Sequence, residues 1–135
     1  MMIWALLLQA QAAAPPANLP AEAQQEIVVI GQRLAQWRNG VRELPNGAIQ
    51  CTTVRSSGDR EVDQLGCSAM SVCYREVQPA LTAARQRQAR DRMPAAGHPI
   101  YRQLGACVRT QNDLLTAQLA ERRYQARHGM NHAPD

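Results

Sequence analysis

The sequence contains no lysine and no phenylalanine, and only five of its 135 residues are aromatic. All fifteen basic residues are therefore arginines, which with eleven acidic residues give a net charge of +4. No apolar run approaches the roughly 20 residues needed to span a bilayer, which excludes a polytopic membrane protein. The length excludes a large multidomain enzyme and indicates one small domain. Because 45% of the residues are hydrophobic, we do not expect disorder throughout the chain.

Motifs of the common enzyme classes are also missing. The sequence has no GxSxG, HExxH or GxGxxG pattern and no phosphate-binding P-loop. No nucleophile is evident beside His98, His128 or His132, and His98 precedes Pro99 as a loop or N-cap residue would. The spacing of His128, Met130 and His132 would suit Cu(I), but we interpret it as part of a solvated tail. We predict a protein without catalytic activity, cofactor or metal, with an enzyme of unrecognised type as an alternative.

The first residues have features of an export signal. Residues 2–8 form a short apolar stretch, and Ala10-Gln11-Ala12 has the small-x-small pattern of a signal-peptidase site. The stretch before this site lacks the basic residue that signal peptides usually carry. We expect residues 1–12 to be removed as a signal peptide, leaving a periplasmic or secreted protein. The Ala-, Pro- and Gln-rich residues 13–25 are then expected to form a flexible leader.

Four cysteines lie beyond the expected cleavage site: Cys51, Cys67, Cys73 and Cys107. Their even number suits two disulfides in an oxidising compartment. Structural zinc sites and thioredoxin-like redox sites usually contain CxxC pairs, and this sequence has none. We therefore predict two disulfides, with buried free thiols as the alternative.

The predicted helix that contains Cys67 and Cys73 decides how the disulfides pair. If residues 59–78 form one helix, these cysteines are separated by about 9 Å of helical rise. A disulfide requires Cα atoms within about 7 Å, so the pair Cys67–Cys73 is excluded, and with it Cys51–Cys107. Two arrangements remain. We predict Cys73–Cys107 with Cys51–Cys67, because Cys73 and Cys107 both lie on the apolar stripes of their helices.

The predicted fold class is α+β, with a small antiparallel sheet of two or three strands followed by a helical hairpin or a three-helix region. Residues 26–31 are a compact β-branched run and are expected to form a strand. Asn46-Gly47 is a strong hairpin signal between residues 34–44 and residues 48–55, which alternate in polarity. The sheet is therefore placed before the helices in the chain.

The helical region is predicted from its boundaries. Asp59 places negative charge at the start of a helix over residues 59–78. Pro79 should end or kink this helix, because proline lacks an amide hydrogen, and a second, Arg-rich helix is expected to follow. Pro99 suits the first turn of a third helix and Gly129 suits its C-terminal cap. A single domain would then cover residues 26–128, with a disordered tail over residues 129–135.

The third helix is expected to be longer than the domain is wide. It would measure about 45 Å, whereas a domain of this size is roughly 26 Å across. Projection of its outer half would expose four apolar side chains: Leu114, Leu115, Leu119 and Tyr124. Such a surface would favour a protein partner or a homodimer. The alternative is that the leader or the sheet folds back over these residues.

A basic run is predicted in the second helix, formed by Arg85, Arg87, Arg90 and Arg92. Guanidinium groups bind phosphate in bidentate fashion, so these are candidate anion-binding residues for lipid or lipopolysaccharide at an anionic membrane surface. A solvated Arg-rich face is the alternative interpretation. Nucleic-acid binding is not expected, because the basic excess is small and stacking aromatics are few.

The segment QEIVVIGQRL, residues 25–34, resembles the EIVVTG-type segment near the mature N-terminus of TonB-dependent outer-membrane receptors. In that family the region includes or adjoins the box that pairs with the energy-transducing TonB protein. Ile30 stands where those receptors often carry Thr, and the chain is too short for their plug and barrel. The whole chain is also similar to a group of small exported bacterial proteins with an EIVVIGQ-like segment, a following Trp and several Cys. That resemblance implies no particular activity.

These features together predict an exported, non-catalytic domain of the periplasm or envelope that binds a protein partner or a second copy of itself. The alternative function is binding of anionic envelope lipid or lipopolysaccharide through the basic run.

Overall fold

The computed structural model describes residues 19–87, 94 and 97–129. In chain order they form helix α1 (Ala21–Gln36), strands β1 (Arg38–Glu43) and β2 (Ile49–Arg55), and helices α2 (Arg60–Arg87) and α3 (Pro99–Arg127). The strands pair as an antiparallel hairpin, and two disulfides link the elements. This architecture confirms the predicted α+β class. No helix among the described residues is long and apolar enough to cross a membrane.

The first element is a helix, so the predicted strand over residues 26–31 is wrong. Four residues share the inward face of α1: Ala23, Ile27, Ile30 and Leu34. Their spacing of three to four residues follows the helical period, which here outweighs the β-propensity of the Ile-Val-Val-Ile run. The helix also includes residues 21–25, which the sequence predicts as part of the flexible leader.

The hairpin turns at Asn46 and Gly47, as predicted. The amide of Gly47 donates to the carbonyl of Leu44 at 2.9 Å, and the amide of Leu44 donates to the carbonyl of Ala48 at 2.7 Å. Gly47 has a φ of 81°, a conformation that costs glycine little because it has no Cβ. The predicted sheet therefore has two strands.

Trp37 joins the hairpin to α2. Its indole Nε1 donates to Oγ1 of Thr53 at 2.9 Å, and its ring lies against Gly66. A Cβ at Gly66 would come within 2.6–2.8 Å of three ring atoms, so this contact requires a glycine. The Cys51–Cys67 disulfide provides a covalent link beside it.

Helix α2 continues through Pro79 to Arg87, so the predicted end of the helix at Pro79, with a separate second helix, is wrong. A proline within a helix leaves the carbonyl four residues earlier without its amide donor. Here that residue is Arg75, which is exposed, so water can replace the missing donor. The helical region is therefore the predicted helical hairpin, formed by α2 and α3.

Helix α3 has the predicted boundaries. It begins at Pro99, and the Nδ1 atom of the N-cap residue His98 accepts a hydrogen bond from the amide of Ile100 at 3.2 Å. It ends at Arg127, and Gly129 follows with a φ of 64°. A glycine with positive φ just beyond a helix is a common C-terminal cap.

The outer half of α3 does not project, because α1 covers it. Five buried residues from the three helices form the first core: Ile30, Val62, Leu65, Leu119 and Ala120. Leu115 packs against this core, whereas Leu114 remains 51% exposed. The prediction of a projecting helix is therefore wrong. As in the alternative, residues predicted as leader and strand fold back over α3, but they do so as the helix α1.

A second core lies at the other end of the α2–α3 pair. It consists of Val77, Leu81 and Ile100, flanked by partly buried tyrosines and Leu104. Tyr101 donates from its hydroxyl to the carbonyl of Pro94 at 2.6 Å. This core is formed by two helices, whereas the first core is formed by three.

Candidate functional site

The four cysteines form the predicted disulfides Cys51–Cys67 and Cys73–Cys107, each with a Cα–Cα distance of 5.6 Å. Two disulfides are typical of proteins in an oxidising compartment outside the cytoplasm. The carboxylate of Glu76 lies 2.9 Å from Sγ of Cys107, close to both sulfurs of the second disulfide. Because metals bind the thiolate form, this trio is not a metal-ligand set while the disulfide is intact.

One of the four candidate anion-binding arginines has a described side chain. Nη2 of Arg85 lies 2.6 Å from Oε2 of Glu43 and so links α2 to β1. The side chain of Arg87 lies outside the described residues, as do Arg90 and Arg92. Arg85 is paired with a carboxylate, and the other three side chains are not described. The anion-binding role of the basic run therefore stays a prediction.

His128 pairs with Glu22 at the N-terminal end of α1. Its Nε2 atom lies 2.9 Å from Oε2 of Glu22. The hydrogen bond from His128, aided by the charges of His128 and Arg127, outweighs desolvation and holds the pKa of Glu22 below its ordinary value. Met130 and His132, the other members of the tail pattern, lie outside the described residues. This contact links the end of α3 to the start of α1.

Arg123 binds three carboxylates at the edge of the first core. Its guanidinium lies 3.0 Å from Glu26, 2.8 Å from Asp59 and 3.2 Å from Glu61. Asp59 also accepts hydrogen bonds from the amides of Glu61 and Val62, and so caps α2. These four charged residues, which we call the Arg123 cluster, join all three helices.

The Arg123 cluster shifts the titration of its members. Burial raises the pKa of Asp59, but the hydrogen bonds from Arg123 and from two amides lower it more, so the net pKa is below the ordinary value. Burial lowers the pKa of Arg123, but its carboxylate partners raise it well above the ordinary value. Both groups therefore stay charged at neutral pH, as expected for a structural ion cluster.

A groove of about 430 Å³ lies between α1 and α3. Helix α1 contributes Ile27, Gly31, Leu34 and Ala35 to this α1–α3 groove. Helix α3 contributes Arg109, Asn112, Asp113, Thr116 and Ala117. The groove thus has an apolar wall on α1 and a mostly polar wall on α3. Binding sites commonly combine apolar surface with polar groups in this way.

Two residues of the α1–α3 groove have unfilled space or an unused hydrogen-bonding group. A Cβ added at Gly31 would have no neighbour within 4 Å, so the glycine borders open space. The Oδ1 atom of Asn112 is buried and accepts no hydrogen bond within the described part of the chain. Leaving a buried acceptor unsatisfied costs about 1–3 kcal/mol. A partner that donates to Asn112 after a rotation of its amide would recover that free energy.

No motif in the sequence marks the α1–α3 groove. Residues 25–34, which resemble the receptor segment, form the middle of α1, where Ile27, Gly31 and Leu34 line the groove. The helical spacing of the apolar residues was the signal that could have placed them on a helix. Asn112 carries no signal in the sequence, because its lack of a partner depends on how α3 packs.

Comparisons with known proteins found no matching family model, no matching curated protein and no matching solved structure. The function is therefore inferred from the chemistry of the groove and of the molecular surface.

Proposed function

We propose that this protein is an exported, non-catalytic binding domain of the periplasm or envelope, and that its α1–α3 groove receives an apolar segment of a protein partner. The observation that carries the proposal is a groove that is open at Gly31 and is also lined by Asn112, whose buried Oδ1 has no hydrogen-bond partner among the described residues. Export is supported by the two disulfides and by the signal-like residues 1–12.

The groove favours a segment of protein over an enclosed small molecule. Its volume lies within the range of about 300–1,000 Å³ that is usual for ligand pockets. However, Gly31 and Ala35 are exposed, so the groove is open along its α1 side. Open grooves between helices commonly receive an amphipathic helix or an extended peptide, whose apolar side chains anchor it.

Charge at the rim narrows the choice of partner. Arg109 and Asp113 are exposed and lie four residues apart on α3, so they are neighbours on one helical face. A segment with an apolar centre and one charge of each sign at its edges would complement both residues. Such rim charges contribute mainly to specificity and to the rate of association.

The substitution Gly31→Leu tests this proposal. A Cβ at position 31 would meet no described atom within 4 Å, so we expect the fold to be retained and the larger side chain to occupy space in the groove. Stability should rise by up to about 1 kcal/mol, because glycine is a poor helix former. Ala106→Leu, which adds an apolar side chain to an exposed position of α3 outside the groove, is the matched control.

The measurement is quantitative capture from an envelope extract with the immobilised wild-type chain and the two variants. We expect a protein that wild type and Ala106→Leu retain, and that Gly31→Leu retains at least about tenfold less well. Equal retention by all three chains would exclude the groove as the binding site. Self-association that disappears in Gly31→Leu, measured by sedimentation, would instead identify a second copy as the occupant.

A further inference from the structure

A second groove, of about 550 Å³, lies between α1 and the segment that connects β2 to α2. Its polar lining comes from Gln32, Arg33 and Gln36 of α1, from Arg55 at the end of β2, and from Ser56 and Ser57 after it. We call it the basic groove. It lies on a different side of α1 from the α1–α3 groove, with which it shares no lining residue.

The arginines of the basic groove have no acidic partner among the residues that the structure describes. Within the described part of the chain, neither Arg33 nor Arg55 forms an ion pair with a carboxylate. Arg38 lies opposite Arg55 in the hairpin register but is not one of the residues that line the groove. The Nη1 atom of Arg38 donates to the carbonyls of Ala35 and Trp37, both at 2.9 Å, so this cation is also without a carboxylate.

The two carboxylates closest in sequence to the basic groove do not pair with its arginines. Asp59 is bound by Arg123. Asp63 accepts hydrogen bonds from the hydroxyl of Ser56 and from both the amide and the hydroxyl of Ser57, at 2.5–2.8 Å. Burial raises the pKa of Asp63, but these hydrogen bonds lower it more. Asp63 therefore places one negative charge beside the two arginines that line the groove, and the net positive charge that remains is available to an external anion.

We propose that the basic groove binds phosphate groups, as carried by the headgroup of an anionic lipid or by a soluble phosphate. The planar guanidinium groups of Arg33 and Arg55 match two oxygens of a phosphate each. Gln32 and Gln36 lie one helical turn apart beside Arg33 and supply amide donors for the remaining oxygens. This site uses none of the arginines of the basic run and does not depend on the α1–α3 groove.

The test compares two double variants that remove the same charge. Arg33→Gln with Arg55→Gln alters the basic groove, whereas Arg102→Gln with Arg122→Gln removes two exposed arginines that form no ion pair among the described residues. None of these side chains is part of a core, so we expect both variants to fold, with melting temperatures close to that of wild type.

The first arm measures binding to phosphatidylcholine vesicles with and without phosphatidylglycerol, at low and high salt. Wild type should bind the anionic vesicles, and high salt should weaken binding because it screens exposed charges. The groove variant should bind about thirtyfold more weakly, from the usual contribution of an arginine at an anionic surface. The control variant should stay within about threefold of wild type.

The second arm titrates inorganic phosphate while following the backbone amide signals of residues 55–58 by NMR. Saturable shifts in wild type that the groove variant loses would assign the site to a soluble phosphate if vesicle binding is absent. Loss of vesicle binding in the groove variant alone would assign it to a lipid headgroup. Equal weakening in both double variants, or no response of wild type in either arm, would overturn the proposal.

Discussion

The two ends of the α2–α3 pair are stabilised by different interactions. At one end, α1 completes a three-helix core and the Arg123 cluster ties the helices together. At the other end, two helices enclose the smaller core of Val77, Leu81 and Ile100, and the Cys73–Cys107 disulfide lies next to it. The end that lacks a third helix is thus the end with a covalent link between the helices. A small domain needs such a link where its apolar core is too small.

Removing this link should produce the largest effect. We expect Cys73→Ala with Cys107→Ala to lower the free energy of unfolding by about 2–5 kcal/mol, because the disulfide constrains the unfolded chain. Hydrogen exchange should show the loss of protection first around Leu104, near the second core, and later around Leu119. Denaturant unfolding measures the total change in the free energy of unfolding. Loss of protection at both ends to the same extent would mean that the disulfide does not specifically stabilise the end with the second core.

Truncating the first core should have the next largest effect. Leu119 is 1% exposed, so Leu119→Ala should lower the free energy of unfolding by about 2–4 kcal/mol through lost burial and the cavity left behind. Leu114→Ala is the matched control on the same helix, and it should change stability by no more than about 0.5 kcal/mol. Denaturant unfolding of both variants measures the difference. Similar losses in the two variants would mean that α1 does not cover α3.

The Arg123 cluster should make a smaller, pH-dependent contribution. The pKa of Asp59 is lower in the folded protein than in the unfolded chain, so its stabilisation is present above the unfolded pKa of about 3.9. It is lost as the pH falls through the folded pKa. Asp59→Asn keeps an N-cap residue but removes the charge, and should cost about 1 kcal/mol at neutral pH.

Urea midpoints measured from neutral to acidic pH check this prediction. The wild-type midpoint should fall with pH more steeply than that of Asp59→Asn, and the two curves should approach each other at low pH. Parallel curves for the two proteins would show that the ion cluster does not stabilise the first core.

Elements with a local sequence signal could be predicted. Asn46-Gly47 placed the hairpin, Pro99 and Gly129 placed the ends of α3, and helical geometry selected the disulfide pairing. The signal at residues 26–31 was ambiguous, because a short β-branched run suits a strand as well as a buried helical face. The prediction at Pro79 was wrong for another reason. Buried residues of α2 lie both before and after Pro79, and a helix stabilised by such packing tolerates one missing hydrogen bond.

The candidate sites could not be predicted, because each requires elements that are distant in the chain. The α1–α3 groove brings Gly31 beside Asn112, and the Arg123 cluster brings Glu26 beside Arg123. The basic groove depends on Arg33 and Arg55 having no carboxylate partner among the described residues, because Asp59 binds Arg123 and Asp63 binds two serines. Neither the packing nor the pairing of charges can be determined from the composition or the periodicity of the sequence.

We propose that this chain is an exported domain whose two disulfides take the place of a larger core. The most direct test is the intact mass of the protein isolated from fractionated cells, measured with and without reductant. We predict that it is found in the envelope or secreted fraction without residues 1–12, and that reduction adds the four hydrogens that two disulfides lack. A cytoplasmic protein that retains these residues and has four free thiols would show that the chain is neither exported nor stabilised by disulfides.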